Sequence, residues 1–347
     1  MNAPAPIRVV QWATGNIGTR SLRAVIEHPR LELVGVWVHS PGKVGRDAAE
    51  LCGLDAPTGV PAASDIDEIV ALDADVVLYM PQGCDVDAVA RLLASGKDVV
   101  TTRGEFHRPD SLDPDVRARI DAACEAGGSS IHSTGSSPGF ITEAVPIVLT
   151  SLSRRLDRLT IEEYADMSRR PSPQLMFDVM GFGKPPAELK PGRAQHLLHA
   201  FGPSLQATTE ALGLSLDGFD ATEQVATANS DVDVAAGTIR AGTVGGMRTV
   251  ITGLRGGEEL IRFVATWWCT DDLDTDWDVL PTGWRVRVAG DVPMDVRLVF
   301  DVPVERMAEH SPGFTAHRAV NAVPVVHAAP PGIRTTADLP QIIAQLG

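Results

Sequence analysis

The sequence predicts a two-domain α/β protein: a doubly wound parallel sheet, then a second α+β domain carrying a mostly antiparallel sheet. Three observations lead there. Short β-rich runs alternate with helical patterns through the first 150 residues. Strand–helix alternation of this kind builds right-handed βαβ units and a parallel sheet covered on both faces. From about residue 155 the texture changes to period-two alternation broken by GG and GD turns, which favours antiparallel pairing with one wet face. The third observation is a glycine-rich turn directly after the first strand.

In order, "IRVVQW" (7–12), "LELVGVWVH" (31–39), "ADVVLYM" (74–80), "KDVVTT" (97–102) and "SSIHST" (129–134) read as strands bounded by Gly, Pro or Asp. Segments such as "VDAVARLLASG" and "PDVRARIDAACEAGG" have apolar residues at helical spacing and glycine at the C-terminal end. "RLTIEEYADMS" opens the second domain as a strand, and "AQHLLHAFGPSLQATTEALGL" reads as a long helix. Alternating strands follow to about residue 302, and "SPGFTAHRAVNAVPVVHAAPPG" is helical again. The tail "TADLPQIIAQLG" reads as one more short helix, and the C-terminal part of the chain is expected to return to the first domain. The expected division is 1–150 with 310–347 for the first domain and 151–309 for the second.

Composition narrows the function. The chain has 347 residues, 44% hydrophobic and 22% charged, in the range of a globular enzyme. A formal charge of −15 argues against nucleic acid or an anionic membrane as partner, since both need a basic surface. Cys52, Cys84, Cys124 and Cys269 are scattered with no CxxC pair, which suits a reducing compartment and gives no metal site. The start "MNAPAPIR" has no apolar stretch behind a positive end, and no apolar run reaches the roughly 18 residues a bilayer span requires. A cytoplasmic protein is the expectation.

The turn after the first strand reads Ala13-Thr14-Gly15-Asn16-Ile17-Gly18, against G-x-G-x-x-G in a dinucleotide fingerprint. A strand precedes it, a helix follows, and a second strand closes a βαβ unit of suitable length. Gly15 would let the backbone approach a pyrophosphate, and Gly18 would let helix and strand pack closely. Ala13 replaces the glycine of the tight turn, a change tolerated if its φ stays negative. A plain strand-to-helix corner is the alternative. The context favours a Rossmann-type nicotinamide site.

An NAD site places Asp or Glu at the end of the second strand to accept from the ribose. Here the chain runs His39-Ser40-Pro41-Gly42-Lys43-Val44-Gly45-Arg46, with no carboxylate before Asp47. A hydroxyl at Ser40 with the cations Lys43 and Arg46 suits a 2′-phosphate. NADP is therefore the expected cofactor, with NAD also compatible; an ordinary solvated loop is the other reading.

"VVTTRGEFHRP" (99–109) leaves the sheet at the carboxyl end of the fifth strand, where ligands of open α/β sheets sit. Glu105, after a glycine and beside Phe106, is either a surface acid or a base and cation stabiliser. At this point the residues carry a resemblance. "VVQWATGNIGTRSLRAVIEHP", "WVHSPGKVGRDAAELCG", "TTRGEF", "STGSSPGF" and "RAVNAVPVV" resemble the native amine dehydrogenases and 2,4-diaminopentanoate dehydrogenase, of the dihydrodipicolinate reductase-like superfamily. The resemblance covers nearly the whole chain, most strongly residues 8–140 and 312–327. It implies a Rossmann domain, an α/β substrate domain, a homodimer, and NAD(P)H-dependent reductive amination of ketones or aldehydes with ammonia. It also implies that Glu105 is the catalytic residue. The paired-histidine motif of dihydrodipicolinate reductases is missing from this sequence, so their reaction is not expected.

Other candidates are softer. Phe140 and Tyr164 are expected to line a substrate pocket, and Asn321 to bond the cofactor carboxamide or cap a turn. Arg169 and Arg170 are either carboxylate ligands or solvated surface. Rival readings are an amino-acid or diamine dehydrogenase of the same fold, a semialdehyde dehydrogenase using a cysteine, and a non-catalytic NADPH-binding sensor.

Overall fold

The computed structural model describes residues 5–189 and 191–346. The chain divides into two compact units, Met1–Phe140 with Ser311–Gly347, and Ile141–His310.

The first unit begins with β1 (Ile7–Trp12), α1 (Asn16–Ile26), β2 (Leu31–Trp37), α2 (Ala48–Cys52), β3 (Ala62–Ala63) and α3 (Ile66–Ala71). It continues with β4 (Val76–Tyr79), α4 (Val86–Ala94), β5 (Asp98–Thr101), α5 (Pro114–Gly127) and β6 (Ser130–Ser133). The second unit holds α6 (Val145–Thr150), β7 (Leu156–Asp166), α7 (Arg193–Ala211), β8 (Gly218–Thr227), β9 (Val232–Val234) and β10 (Gly237–Ile239). After these come β11 (Val244–Arg255), β12 (Glu258–Trp268), β13 (Gly283–Gly290) and β14 (Met294–Val299), then α8 (Val304–His327) and β15 (Gly332–Arg334).

The first sheet has seven parallel strands in the order β15-β6-β5-β4-β1-β2-β3. The chain winds one way from β1 through β2 to β3 and the other way from β4 to β6. The strand order therefore reverses between β1 and β4, and the carboxyl ends of strands at such a reversal are where open α/β sheets bind ligands. Val9, Val10, Val76, Val77, Val99, Val100 and Ile131 are all fully buried, as a sheet covered on both faces requires. One face packs Val10, Val77 and Val99 against Val89, Leu92 and Leu93 of α4 and Ile120 of α5. The other packs Val9, Val76 and Val100 against Val25 of α1 and Ala319, Val320 and Val323 of α8.

Helix starts in this unit follow one rule with one exception. Asp47, Asp65, Asp85 and Asp113 each cap the helix that follows, the side chain accepting from a backbone N–H of the first turn. The exception is α1, preceded by Gly15 and given no side-chain cap.

The tail differs from expectation. Among the described residues, those after Asp338 form no helix; Leu339 and Ile342 pack on the α8 side of the sheet, and the Ile342 carbonyl accepts from Arg318 at 3.1 Å. Pro340, which has no N–H, interrupts the segment. The return to the first unit is made by α8 and by β15, an added edge strand that has no alternating pattern to announce it.

The second sheet runs β14-β13-β7-β12-β11-β8, antiparallel except for the β7–β12 pair. Gly256 and Gly257, both at positive φ (61° and 80°), make the two-residue turn between β11 and β12. One face buries Leu159, Ile161, Ile261 and Phe263, with Phe201 of α7 stacked on Phe263 at 4.4 Å. The opposite face is polar, with Arg285 and Arg287 on either side of Glu162. The unit begins at residue 141, not 151, because α6 packs on α7 and β13 of this sheet.

Candidate active site

The turn after β1 is built from below. The buried side chain of Gln11 donates its amide to the carbonyls of Trp12, Ala13 and Leu78 at 3.2, 3.0 and 3.4 Å. The Ala13 N–H donates to Trp37 O at 2.9 Å, so the turn is tied to the end of β2. Ala13 does not keep a negative φ. At +71° it is the non-glycine residue with positive φ among those described. The first glycine of the fingerprint thus has the conformation glycine would supply, held here by an alanine.

The two retained glycines serve different ends. A Cβ on Gly18 would fall 2.1 Å from Ala13 O, inside the turn's own backbone. Glycine is required there by the close approach of helix and turn. A Cβ on Gly15 would meet nothing within 4 Å, and its φ of −76° suits any residue. Nothing in the protein's own packing demands glycine at 15. The open space lies over the N-terminus of α1, the helix without a cap. Exposed donors at a helix start attract anions, and a bare glycine lets a bulky one approach.

Ser40 and His39 are exposed beyond β2. Lys43 is drawn back over the turn, its Nζ donating to Thr14 O at 2.8 Å and Thr14 Oγ1 at 3.0 Å. Arg46 pairs with Glu50 one helical turn on, at 2.7 Å. The two cations are therefore not loose at the strand end; Lys43 is held on the turn after β1 and Arg46 by Glu50 of α2.

Glu105 lies in a short 3-10 turn, Gly104–Phe106, directly after β5 and at the same end of the sheet as the α1 turn. Hydroxyls anchor this turn on both sides. Thr101 Oγ1 donates to Tyr79 O at 2.7 Å and accepts from Arg103 N at 3.0 Å. Ser133 Oγ donates to Arg103 O at 2.7 Å and accepts from Phe106 N at 3.1 Å. The Phe106 side chain is fully buried. Arg103 Nη2 donates to Glu105 Oε1 at 2.7 Å, while the buried Oε2 has no partner among the described residues. Burial, and then the nearby Glu105 charge, push the Cys84 thiol up to about 12. Burial raises Cys124 to about 11 and lifts Cys52 and Cys269 as well. Thiols held protonated in this way are poor nucleophiles.

The segment after β6 closes on itself: Phe140 N donates to Gly135 O at 2.8 Å, and Ser136 Oγ contacts Thr315 Oγ1 of α8 at 2.7 Å. Arg318 lies over the Phe140 ring at 5.7 Å.

Comparison with known proteins shows the family. A family model for the 2,4-diaminopentanoate dehydrogenase C-terminal domain matches residues 140–347. An amine dehydrogenase from Streptomyces virginiae is 30% identical over 96% of both chains. The chain belongs to this family. A 2,4-diaminopentanoate dehydrogenase from Acetoanaerobium sticklandii is 23% identical, covering 98% of this chain and 95% of its own. The model for the N-terminus of dihydrodipicolinate reductase matches residues 8–103, the part holding the α1 turn. The solved structure of an amine dehydrogenase from Mycobacterium smegmatis has the same fold, with a TM-score of 0.78 at 20% identity over 98% of this chain and 97% of that one.

Within the family frame, the remaining candidates fall as follows. Tyr164 is 6% exposed and packs in the second unit against Ala226, Trp268 and Leu273. Arg169 pairs with Glu305 at 3.5 Å and is half exposed. Asn321 is half-buried on α8. Sequence reasoning set Thr101 and Arg103 at the carboxyl end of the sheet but gave no role to them, to Gln11 or to Ser133. A glutamine among the apolar residues that follow Arg8 in the first strand was the one available signal.

Proposed function

We propose that this chain is an NADP-preferring amine dehydrogenase that reductively aminates ketones or aldehydes with ammonia, with Glu105 as proton acceptor and iminium stabiliser. One observation carries the reading: a carboxylate anchored at the carboxyl end of β5, with one oxygen unpartnered among the described residues, at the same end of the sheet as an uncapped helix start below an open glycine.

The residues suit a dinucleotide. The N–H groups at the start of α1 (Thr14, Gly15, Asn16, Ile17, Gly18) would receive the diphosphate, with Lys43 adding charge over the turn. Ser40, with His39 and Arg46 nearby and no acid before Asp47, would meet the 2′-phosphate; NAD is a compatible second cofactor. Asn321 would bond the carboxamide. When bound, the nicotinamide supplies the hydride.

Glu105 does two things in turn. Ammonia is mostly ammonium near neutral pH, so a carboxylate that takes its proton releases the nucleophile. Attack on the carbonyl gives a neutral carbinolamine, the protonated Glu105 returns its proton to the carbinolamine hydroxyl as water leaves, and the carboxylate so regenerated lowers the energy of the positively charged iminium. Proton transfer of this kind typically contributes about 10²–10⁴-fold.

Two features favour neutral carbonyls over 2-oxo acids. Arg169 is already paired with Glu305, and an ionised carboxylate buried beside Glu105 without a partner would cost several kcal/mol. The raised thiols disfavour a cysteine-dependent semialdehyde reaction.

The test is NADPH oxidation with ammonium and either cyclohexanone or 2-oxobutanoate, with Glu105→Gln alongside. The expected result is ammonia-dependent turnover favouring the ketone, lost by at least about 10²-fold in Glu105→Gln while NADPH binding is retained. Turnover in that variant above about a tenth of the parent would contradict a base of this size. Absence of any ammonia-dependent oxidation would leave a cofactor-binding sensor.

A further inference from the structure

We propose that Arg103 is a positioning residue that holds the Glu105 carboxylate by one oxygen and presents the other to the substrate nitrogen. The inference rests on the reading of Glu105 given above.

Arg103 reaches across two loops. Its Nη2 donates to Glu105 Oε1 and its Nη1 to the Gln82 carbonyl, each at 2.7 Å. Gln82 lies in the loop after β4, and Glu105 in the loop after the neighbouring β5. One guanidinium therefore fixes the carboxylate relative to the adjacent strand. Its own backbone cannot slide, because the N–H is held by Thr101 and the carbonyl by Ser133. Phe106 anchors the other side of Glu105. What is left free is the Glu105 side chain, and Arg103 removes that freedom.

The form of the contact matters. An arginine devoted to neutralising a carboxylate offers both arms to both oxygens. Here one arm is on Glu105 and the other on a backbone carbonyl, so Oε2 is left without a partner among the described residues. A buried acceptor without a donor is destabilising, a cost that the N–H groups of ammonium or of an iminium would remove. The acceptor is thus open to a nitrogen cation, and Arg103 decides which oxygen plays that part. Cys84 is electrostatically coupled to both side chains but stays a neutral thiol, so it adds no competing charge. Lysine would not substitute: a single ammonium on a flexible stem lacks the rigid fork that reaches Gln82 and Glu105 together.

The experiment measures Arg103→Gln and Arg103→Lys beside Glu105→Gln, with kcat, KM for ammonium, NADPH affinity by fluorescence, and rescue by methylguanidinium. Misplacement of a catalytic group by an ångström costs about 10²-fold, so kcat in Arg103→Gln should fall by that order with NADPH affinity unchanged. Methylguanidinium should restore part of the loss, which it would not do if the arginine only stabilised the fold. Arg103→Lys should fold, bind NADPH and still turn over more than tenfold slower, so it decides the matter should Arg103→Gln not fold. Parent-like turnover in Arg103→Lys, or a loss in Arg103→Gln that methylguanidinium does not relieve, overturns the positioning role. An active Glu105→Gln would instead remove the underlying reading, and the role of Arg103 with it.

Discussion

Two glycines three residues apart should separate stability from binding. At Gly18, an added Cβ falls 2.1 Å from Ala13 O and 2.9 Å from its carbonyl carbon, both backbone atoms that cannot swing aside. Accommodating it requires α1 to move off the turn, at a cost of the size of overpacking, about 1–3 kcal/mol. For a unit of this size that lowers the melting temperature by roughly 2–4 °C per kcal/mol. At Gly15 the same methyl enters empty space and the backbone is already in a region open to alanine. Reduced freedom in the unfolded chain gains about 0.4–1 kcal/mol, and alanine's poorer performance before a helix offsets much of it. Gly15→Ala should therefore melt within about 2 °C of the parent by the same scaling. Its methyl stands where the diphosphate is proposed to approach, so NADPH affinity should drop at least tenfold, equivalent to about 1.4 kcal/mol. Thermal unfolding and NADPH fluorescence titration on both variants decide the case. Unchanged affinity in Gly15→Ala would show that the open space is not the diphosphate site, and a large loss of stability there would show that the space is not open.

Two further outcomes follow from the same edge of the sheet. Ser40→Asp sets a carboxylate at the exposed end of β2, so the ratio of kcat/KM for NADPH over NADH should fall; an unchanged ratio would mean that Ser40 does not face the adenosine ribose. Ala13→Gly relieves a left-handed alanine worth about 1–2 kcal/mol and gives back up to about 1 kcal/mol in the unfolded chain, so the melting point should rise by a degree or two, and a fall would mean that the φ of +71° carries no strain.

The parallel sheet was legible because its strands are apolar runs bounded by turn residues, and because the segments between them carry apolar residues at helical spacing with glycine at the C-terminal end. The β11–β12 hairpin was legible from Gly256-Gly257. β15 and the tail were not. β15 is three residues long and exists only because β6 offers it an edge, while "QIIAQL" has a helical pattern overridden by the packing of Ile342 and the Arg318 contact. In the site, Glu105 and the α1 turn could be placed from strand ends alone. Its supporting groups could not, since Thr101, Arg103 and Ser133 meet across neighbouring strands, and pairing order is absent from local pattern.

The departure at Ala13 and the buried Gln11 are one device. A left-handed alanine costs about 1–2 kcal/mol against glycine, and a turn keeps it only where the surroundings leave no other conformation. Three constraints do so here. The N–H is committed to Trp37 O, the carbonyl is committed to the Gln11 amide, and Gly18 closes over that carbonyl so tightly that no Cβ fits. Net contributions of about 0.5–1.5 kcal/mol for each such hydrogen bond are enough to offset the strain. Rotating Ala13 back to negative φ would swing its carbonyl away from Gln11 and remove the shortest of that amide's three contacts. The alanine is therefore no sign of a decayed fingerprint. The glutamine two residues earlier holds the turn in the shape the missing glycine would have allowed, and it leaves Gly15 and the uncapped start of α1 open to an anion.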